Sequence, residues 1–423
     1  MISENKPKWN NFNVFLVIAL AGICLTPLFE TNIKTTPRIF QLAILILWFF
    51  DVVIVKGRLR VTKQVLFIFV WMLWEAAYKL IGISSATWSN IFQKEIFYSL
   101  IIIMLYMKTG TSFKQKKMIV WSIVMILAFN VIDNIMLCTK YPTANEMVAG
   151  GTEDLSVAFF AGLNIGTTMF GFITVLFSGI MLIIALNDIK FKTRIFFGLL
   201  SVCADYFVVF LSNRGITVLV WILMTALILF TKFFIKNSKN KFICVTSIIA
   251  IFIAANFLSV PILKWLIINI DSYRLQLRFN TLLNYMISGG SSYISHSSFI
   301  ERLSFLELSW NTFINNFFNF VFGVGYPQFN DHIAYGVGSH SEIIDSLAKY
   351  GIIGGFFIFN ILKYSLKSVF ENLRAYKFST ETIIIMLTFL IYGLLNNAFT
   401  PEVGVIIFFL LPLSPLLIER KNN

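Results

Sequence analysis

Residues 165–187 read IGTTMFGFITVLFSGIMLIIALN, and this run contains no charged residue. It is long enough to cross the hydrocarbon core of a bilayer as a helix, which takes about 20 apolar residues. A helix is suited to lipid because it pairs its own backbone N–H and C=O groups. The run therefore predicts a transmembrane helix.

The same pattern recurs along the whole chain. Of its 423 residues, 57% are hydrophobic and 13% are charged, and the mean hydropathy is +0.79. These values exclude an ordinary soluble globular protein. Apolar runs of similar length lie at approximately 12–29, 38–55, 64–82, 92–107, 118–137, 195–212, 215–235, 242–259, 351–369, 381–397 and 402–418. We predict an all-α polytopic membrane protein with about 12 transmembrane helices.

The basic residues predict how these helices are oriented. The net charge of +13 would suggest nucleic acid in a soluble protein. Here, however, about two thirds of the 34 lysines and arginines fall in the loops on one side of the predicted helices. That side is cytoplasmic by the positive-inside rule, so both termini are cytoplasmic. Topology thus explains most of the charge, and no nucleic-acid partner is expected.

The loop lengths divide the chain into three segments. We predict transmembrane helices 1–9 in residues 1–259, a large external loop in residues 260–350, and helices 10–12 in residues 351–423. A shorter external segment spans about 138–164. Long external loops commonly carry function. Candidate functional residues are therefore expected on the outer face.

Two amphipathic helices are predicted inside the large external loop. Ser298 with Glu301 and Ser339 with Glu342 each match a capping box, which marks a helix start. After the first box, large apolar residues follow at helical spacing, namely Leu303, Leu306, Trp310, Phe313, Phe317 and Phe320. This apolar stripe fits either the outer membrane interface or packing against other helices. The second helix is expected to run to Gly351, a natural terminator or hinge, with His340 in its first turn.

Three residues at predicted outer helix ends form the candidate site. Arg214 lies between helices seven and eight, Arg302 opens the first amphipathic helix, and His340 opens the second. Arginine pairs bidentately with phosphate oxygens, and a neutral histidine at a helix start can accept a proton. The alternative interpretation is an interfacial anchor for each arginine and a surface histidine in a capped helix.

Further residues of the loop fit the same chemistry less specifically. Arg274 and Arg278 are four residues apart and share a helix face, which is either solvated or in contact with phosphate or glycan. Gly323 and Gly325 form a tight turn between the amphipathic helices. The four cysteines show no paired spacing, and the external loops lack the clustered carboxylates of a metal site. We therefore predict neither a metal nor a cofactor.

Ionisable residues within the apolar runs leave a transporter as an alternative function. Glu75, Asp133 and Asp205 are of the type that marks proton or ion pathways. Asp133 lies near an outer helix end, and Glu75 has Lys79 four residues away as a neutralising neighbour. A lipid-linked oligosaccharide flippase would also have about twelve helices. It would not need the large external loop.

At these residues the chain resembles the superfamily of O-antigen ligases and of O-antigen and capsular polysaccharide polymerases. The ligase pattern is His, then Asn, Ser or Gln, nine residues, Gly, two residues, and Gly, Thr or Tyr. His340, Ser341, Gly351 and Gly354 match it. Two further features of the family also match. Arg302 opens an outer helix and is followed by the Gly-x-Gly turn of Gly323 and Gly325. Arg214 follows helix seven. The resemblance covers roughly residues 200–400.

The resemblance implies a fold like that of the type C glycosyltransferases in the bacterial inner membrane, with the active site facing outward. It implies donors and acceptors that are glycans linked to undecaprenyl diphosphate, bound by Arg214 and Arg302, with His340 activating the acceptor. A polymerase would join one repeat-unit chain to another, which we favour, whereas a ligase would transfer the chain to lipid A core. Whether a chain-length regulator takes part is left open.

Overall fold

The computed structural model describes the chain in segments separated by gaps. They are residues 9–26, 36–55, 62–140, 168–187, 190–212, 215–235, 260–269, 276, 279–280, 283–284, 287, 298–328, 331–374 and 379–418. Helix is the only regular secondary structure in these segments. The predicted all-α class is confirmed for them. The predicted span 242–259 and the external segment 138–164 lie largely or wholly outside the described residues.

Most of the helices match the predicted apolar runs, whereas the helix Val260–Asn269 and the start of the helix Glu342–Arg374 fall within the predicted external loop. The first eight are α1 Asn11–Leu25, α2 Thr36–Phe49, α3 Lys63–Leu80, α4 Trp88–Gly110, α5 Phe113–Lys140, α6 Thr168–Asn187, α7 Phe191–Tyr206 and α8 Gly215–Phe230. The π-helical turns Phe50–Val55, Phe207–Leu211 and Thr231–Ile235 extend α2, α7 and α8. The others are α9 Val260–Asn269, α10 Ser298–Ile314, α11 Phe317–Phe322, α12 Glu342–Arg374, α13 Ser379–Leu395 and α14 Pro401–Val405. The turns Ile406–Leu410, Leu411–Leu413 and Ser414–Leu417 continue α14.

Six of the helices in the described segments are long and apolar enough to cross a membrane. They are Arg38–Val55, Phe113–Lys140, Met169–Asn187, Phe191–Leu211, Ile216–Phe233 and Glu342–Arg374. Helices α1, α9, α13 and α14 with its continuing turns are apolar but shorter. The chain is therefore a helical membrane protein. Helices α3 and α4, which correspond to two further predicted spans, each carry lysine and glutamate side chains within the helix.

The chain forms two compact units. The first contains Met1–Asn130, Asp188–Lys190 and Ser304–Asn423, and the second contains Val131–Asn187 and Phe191–Leu303. In the first unit α12 packs against α3, α11 and α13, and α14 packs against α4. In the second unit α6 packs against α7 and α8.

Loops of the first unit meet at the two ends of α4. At the carboxyl end, the Trp9 amide donates to the Gly110 carbonyl over 2.7 Å. At the amino end, the Ala86 amide donates to the Tyr326 carbonyl over 2.9 Å. The chain before α1 therefore meets the α4–α5 loop. The loop after α3 meets the loop after α11 at the opposite end of α4.

The apolar stripe that begins at Leu303 was predicted to lie on one continuous helix. In the structure it is divided between two helices. Helix α10 ends at Ile314, and α11 begins after Asn316, whose side-chain oxygen accepts from the Asn319 amide over 2.8 Å. Asparagine favours such a cap over a helix interior because its side chain competes for backbone hydrogen bonds. The chain therefore turns after α10, and α11 packs on α12.

Candidate functional site

Two histidines lie against one phenylalanine of α10. The ring centroid of His340 is 4.8 Å from that of Phe305, and the His332 ring is 6.4 Å from the same phenylalanine. The backbone joins the two histidine segments as well, because the Val337 amide donates to the His332 carbonyl over 2.8 Å. His340 is partly exposed. Its imidazole is therefore partly accessible to solvent while it packs against an aromatic ring.

The backbone on the amino-terminal side of His340 is held by two elements. Ser339 has a φ of 57°, which is rare for a residue with a side chain. The Asn397 side-chain amide donates to the Ser339 carbonyl over 3.2 Å, and the Gly338 amide donates to Ser309 Oγ over 2.7 Å. Helix α10 and the α13–α14 loop thus fix the turn that carries His340.

On its other side, His340 precedes a helix cap that differs from the predicted one. Ser341 Oγ accepts from the Ile344 amide over 3.2 Å, and Asp345 Oδ2 accepts from the Ser341 amide over 2.9 Å. The cap is therefore Ser341 and not Ser339, because Asp345 completes a reciprocal pair with Ser341. His340 lies outside α12, so the expectation that it occupies the first helical turn is wrong.

Asp345 closes a ring of hydrogen bonds around this segment. Its side chain is fully buried, and its Oδ1 accepts from Ser309 Oγ over 2.6 Å. Ser309 is also the acceptor for Gly338. One serine of α10 therefore joins the residues before and after His340. The segment is held through side chains as well as through the backbone.

The Gly323–Gly325 turn docks against the first part of α12. A Cβ on Gly323 would lie 2.4 Å from the Lys349 carbonyl oxygen, and the φ of Gly323 is 76°. The Gly325 amide donates to that Lys349 carbonyl over 2.8 Å, and the Val324 amide donates to Ala348 over 2.9 Å. The N–H groups of the turn thus pair with helix carbonyls and do not form an open phosphate cradle. The turn supports the site by fixing the helix.

A buried ion pair lies at the start of α12. Lys94 Nζ is 2.5 Å from both carboxylate oxygens of Glu342, and the two side chains are 14% and 3% exposed. The Phe399 amide donates to Glu342 Oε2 over 3.1 Å. The Glu342 amide donates to the Asn396 carbonyl over 3.2 Å. Glu342 therefore ties α4, α12 and the α13–α14 loop together.

Beside this pair is a small polar cavity with room for about one water molecule. Its lining residues are Trp71, Glu75, Lys94, Tyr98, Tyr326, Glu342, Ser346, Lys349, Tyr350 and Ile358. Lys349 Nζ lies 4.6 Å from the centroid of the Tyr326 ring, and the Tyr350 hydroxyl donates to Glu75. Glu75 is thus partnered by Tyr350, whereas the sequence suggested Lys79. We call the polar residues that line this cavity the polar seam, because the cavity lies between α12 and the helices α3 and α4.

The four predicted phosphate-binding arginines are not placed around His340 by the structure. Arg214, Arg274 and Arg278 lie outside the described residues, and of Arg302 only the position in α10 is described. Of the predicted site residues, His340, Gly323 and Gly325 lie in the first unit. His340 precedes α12, and the turn pairs with α12 at Ala348 and Lys349.

Sequence reasoning missed the pairing of Lys94 with Glu342 and the burial of Lys349. Neither lysine was among the predicted site residues, and Glu342 was used only as a capping residue. The signal that was available is spacing, because Glu342, Ser346 and Lys349 recur at helical intervals and share one face of α12. Polar residues at such intervals in a membrane helix indicate a buried polar seam.

The second unit holds a separate polar cluster around Asp205 of α7. Trp221 Nε1 donates to Asp205 Oδ1 over 2.5 Å, and the Ser178 hydroxyl donates to the same oxygen. Ser178 and Ser201 lie 3.2 Å apart through their hydroxyl oxygens. Asp205 is thus the acceptor for donors from α6 and α8, which makes it an interhelical contact.

Within the described segments, no group of three His, Cys, Asp or Glu side chains is arranged to hold a metal ion. No protein-family model and no curated protein matches the chain. The arrangement around His340 is therefore interpreted from its own geometry.

Proposed function

We propose that this chain is a membrane glycosyltransferase that joins glycans carried on undecaprenyl diphosphate, and that its product is a polymer of polysaccharide repeat units. The observation that carries the proposal is the environment of His340. Its ring is partly exposed while hydrogen bonds on both sides fix its backbone. A general base needs both reach and fixed orientation.

The proposed step transfers a glycan from diphosphate to a sugar hydroxyl. The acceptor hydroxyl oxygen attacks the anomeric carbon, and the bond from that carbon to the diphosphate oxygen breaks. The diphosphate leaves with the electron pair, and His340 takes the proton of the hydroxyl. The leaving diphosphate carries negative charge, and Arg214, Arg302, Arg274 and Arg278 are the proposed partners for it.

The pattern that suggested the family has a structural meaning here, which supports the proposal. Ser341 caps the helix, and residues 342–350 form its first part. Gly351 has a φ of 63° where α12 crosses α11. A Cβ on Gly354 would lie 3.3 Å from the Trp71 ring. The serine of the pattern thus caps α12, and its two glycines lie where α12 packs against α11 and α3.

The finer topology is part of the proposal. We infer about 12 spans in a type C glycosyltransferase-like fold of a bacterial inner membrane, with both termini cytoplasmic and His340 facing outward. Support comes from the two ends of α4. The loop after α3, which we assign to the outside, contacts the loop after α11 through Ala86 and Tyr326. The segment before α1, assigned to the cytoplasm, contacts Gly110.

A transporter of lipid-linked oligosaccharide is the second candidate. It is favoured by the largely buried ionisable residues of the polar seam, which are Glu75, Lys94, Glu342 and Lys349. Such groups inside a membrane unit commonly mark ion or proton pathways. A transporter would move the glycan without lengthening it, which separates the two candidates experimentally.

The test uses a strain that lacks this chain and makes surface polysaccharide. The wild-type chain, His340→Asn and His332→Asn are expressed at equal membrane abundance, and polysaccharide length is read on a gel. His332→Asn is the matched control because both rings contact Phe305. We expect long chains with wild type and His332→Asn, and single repeat units with His340→Asn.

Three other outcomes would revise the proposal. Restored attachment of preformed chains to lipid A core, without lengthening, would identify a ligase. Long chains from His340→Asn but not from His332→Asn would move the base to His332. Full activity of both variants, with lipid-linked units accumulating inside the cell when the chain is absent, would favour the transporter. The same assay with Arg302→Ala and Arg214→Ala tests the proposed diphosphate contacts.

A further inference from the structure

We propose that Lys94 and Glu342 form a buried clamp that positions His340, and that Lys94 is a positioning residue of the reaction. The catalytic part of this inference rests on the proposed function. The geometric part, that the clamp sets the environment of His340, stands without it. The two parts are tested by different measurements.

The clamp begins with the ion pair itself. Both Glu342 carboxylate oxygens lie 2.5 Å from Lys94 Nζ, and Oε2 also accepts from the Phe399 amide over 3.1 Å. The ammonium group lies 5.7 Å from the centroid of the Phe399 ring. Lys94, Glu342 and Phe399 therefore form one compact unit. A charge-assisted pair with this much burial is strongly oriented.

From this unit, two short connections reach His340. Along the chain, only Ser341 separates Glu342 from His340. Across the loop, only Ala398 separates Phe399 from Asn397, whose side chain donates to the Ser339 carbonyl over 3.2 Å. The clamp thus holds the residues on both sides of His340. If it opens, the first turn of α12 and the α13–α14 loop lose their common anchor.

Stability alone is a weak reason for such a pair. Burying two charges costs desolvation energy, and apolar residues of similar volume often stabilise a protein equally well. The value of a buried pair is then the single arrangement that it imposes. Here that arrangement includes His340, the partly exposed imidazole beside α10.

Lys349 provides a matched control inside the same cavity. It is 6% exposed and lies near Glu342, but the contact that the structure gives its ammonium group is the Tyr326 ring. Removing Lys349 takes away a buried positive charge and leaves the hydrogen bonds of Glu342 in place. An effect of the clamp should therefore appear with Lys94 and not with Lys349.

The test measures His340 directly. The chain has three histidines, so His296→Asn with His332→Asn leaves His340 as the single histidine, and the absorbance of carbethoxylated imidazole reports its modification alone. In this background we compare Lys94→Met, Lys94→Arg and Lys349→Met in lipid nanodiscs, with thermal unfolding as a control for folding. We expect Lys94→Met to change the modification rate of His340 several-fold. Lys94→Arg should restore most of the wild-type rate, and Lys349→Met should leave it unchanged.

A kinetic readout follows from the same variants on the otherwise wild-type chain. We expect Lys94→Met to lower kcat for glycan joining by about ten- to a hundredfold with little change in KM, because the base is misplaced while substrate contacts remain. If the proposed function is wrong, joining fails in every chain, but the difference in His340 modification persists. The two failures are thus distinguishable.

The clamp is overturned if Lys94→Met leaves His340 modification at the wild-type rate, or if Lys349→Met changes it equally. Should Lys94→Met fail to fold, the double variant Lys94→Met with Glu342→Met replaces it. That variant removes both charges of the pair together, so Glu342 is not left buried without Lys94, and it is expected to fold. A changed His340 rate in the double variant supports the clamp, and an unchanged rate overturns it.

Discussion

A Cβ atom on Gly351 would lie 2.3 Å from the carbonyl oxygen of Val321. The two backbones cross where α11 ends and where α12 leaves helical geometry, and the φ of Gly351 is 63°. We expect Gly351→Ala to lower the stability of the first unit by more than about 2 kcal/mol, because it adds a steric clash to an unfavourable backbone angle. The apparent melting temperature of the purified chain in detergent measures this.

Gly22→Ala is the matched control for that substitution. A Cβ on Gly22 would lie 3.7 Å from Ile126 Cδ1, which is an ordinary contact. Because alanine is favoured over glycine inside a helix by roughly 0.8–1 kcal/mol, Gly22→Ala should raise the melting temperature slightly. Equal melting temperatures for Gly351→Ala and wild type would mean that the crossing is looser than its geometry indicates.

The cap of α12 supports a second prediction. Ser341→Ala removes the acceptor for the Ile344 amide and should cost about 1 kcal/mol. Asp345→Ala should cost more, on the order of 2–3 kcal/mol, because it leaves the Ser309 hydroxyl and the Ser341 amide buried without their acceptor. The order of the two losses, measured by thermal unfolding, is the critical result.

Ser346→Ala is a suitable control for the cap variants. Ser346 is buried in the same helix, but its hydroxyl donates to the Glu342 carbonyl. Losing that hydroxyl should have a small effect because such a bond to the preceding turn adds little to a helix. If Ser346→Ala destabilised the chain as much as Asp345→Ala, the cap would have no special role.

The features predicted correctly from the sequence depend on residues that are close together along the chain. The helices and the break at Gly351 follow from local apolar spacing and from glycine, both of which are readable in one segment. The cap of α12 was misplaced by two residues because Ser339 with Glu342 has the three-residue spacing of a capping box. The observed pair, Ser341 with Asp345, is four residues apart and does not match that pattern.

Long-range pairing explains what sequence reasoning missed in the site. Lys94 and Glu342 are 248 positions apart, so their contact depends on how α4 packs against the start of α12. The same holds for Tyr350 and Glu75, which are 275 positions apart. A charged residue in an apolar run signals that a partner exists. It does not say which residue the partner is.

The proposed topology predicts which loops are accessible from each side of the membrane. With the four native cysteines replaced by serine, Thr87→Cys should react with a membrane-impermeant maleimide in intact cells. Lys114→Cys should react only after permeabilisation, because it follows the opposite end of α4. Both positions are exposed. They therefore serve as controls for each other.

The reverse labelling pattern would invert the orientation and place His340 in the cytoplasm. Equal labelling of Thr87→Cys and Lys114→Cys in intact cells would mean that α4 does not span the membrane. That result would reduce the number of spans. It would also remove the outward-facing site from the proposed function.

Asp205 allows a prediction that separates the enzyme from the transporter. In the proposed enzyme, Asp205 is an interhelical acceptor for Trp221 and Ser178, so Asp205→Asn should keep one acceptor oxygen and near-wild-type polysaccharide length. In a proton-coupled transporter, the same substitution removes an ionisable group from the membrane and should abolish transport. Polysaccharide length and cell-surface glycan together measure the difference.

A second variant at this position measures how much the hydrogen bonds of Asp205 contribute to stability. Asp205→Ala leaves the Trp221 and Ser178 donors without their acceptor, and hydrogen bonds between membrane helices contribute about 0.6 kcal/mol on average. We therefore expect a small drop in melting temperature for Asp205→Ala, a smaller one for Asp205→Asn, and glycan joining by both. Loss of joining in Asp205→Asn at wild-type stability would show that the charge of Asp205 is needed, and the second unit would then take part in function as well as in packing.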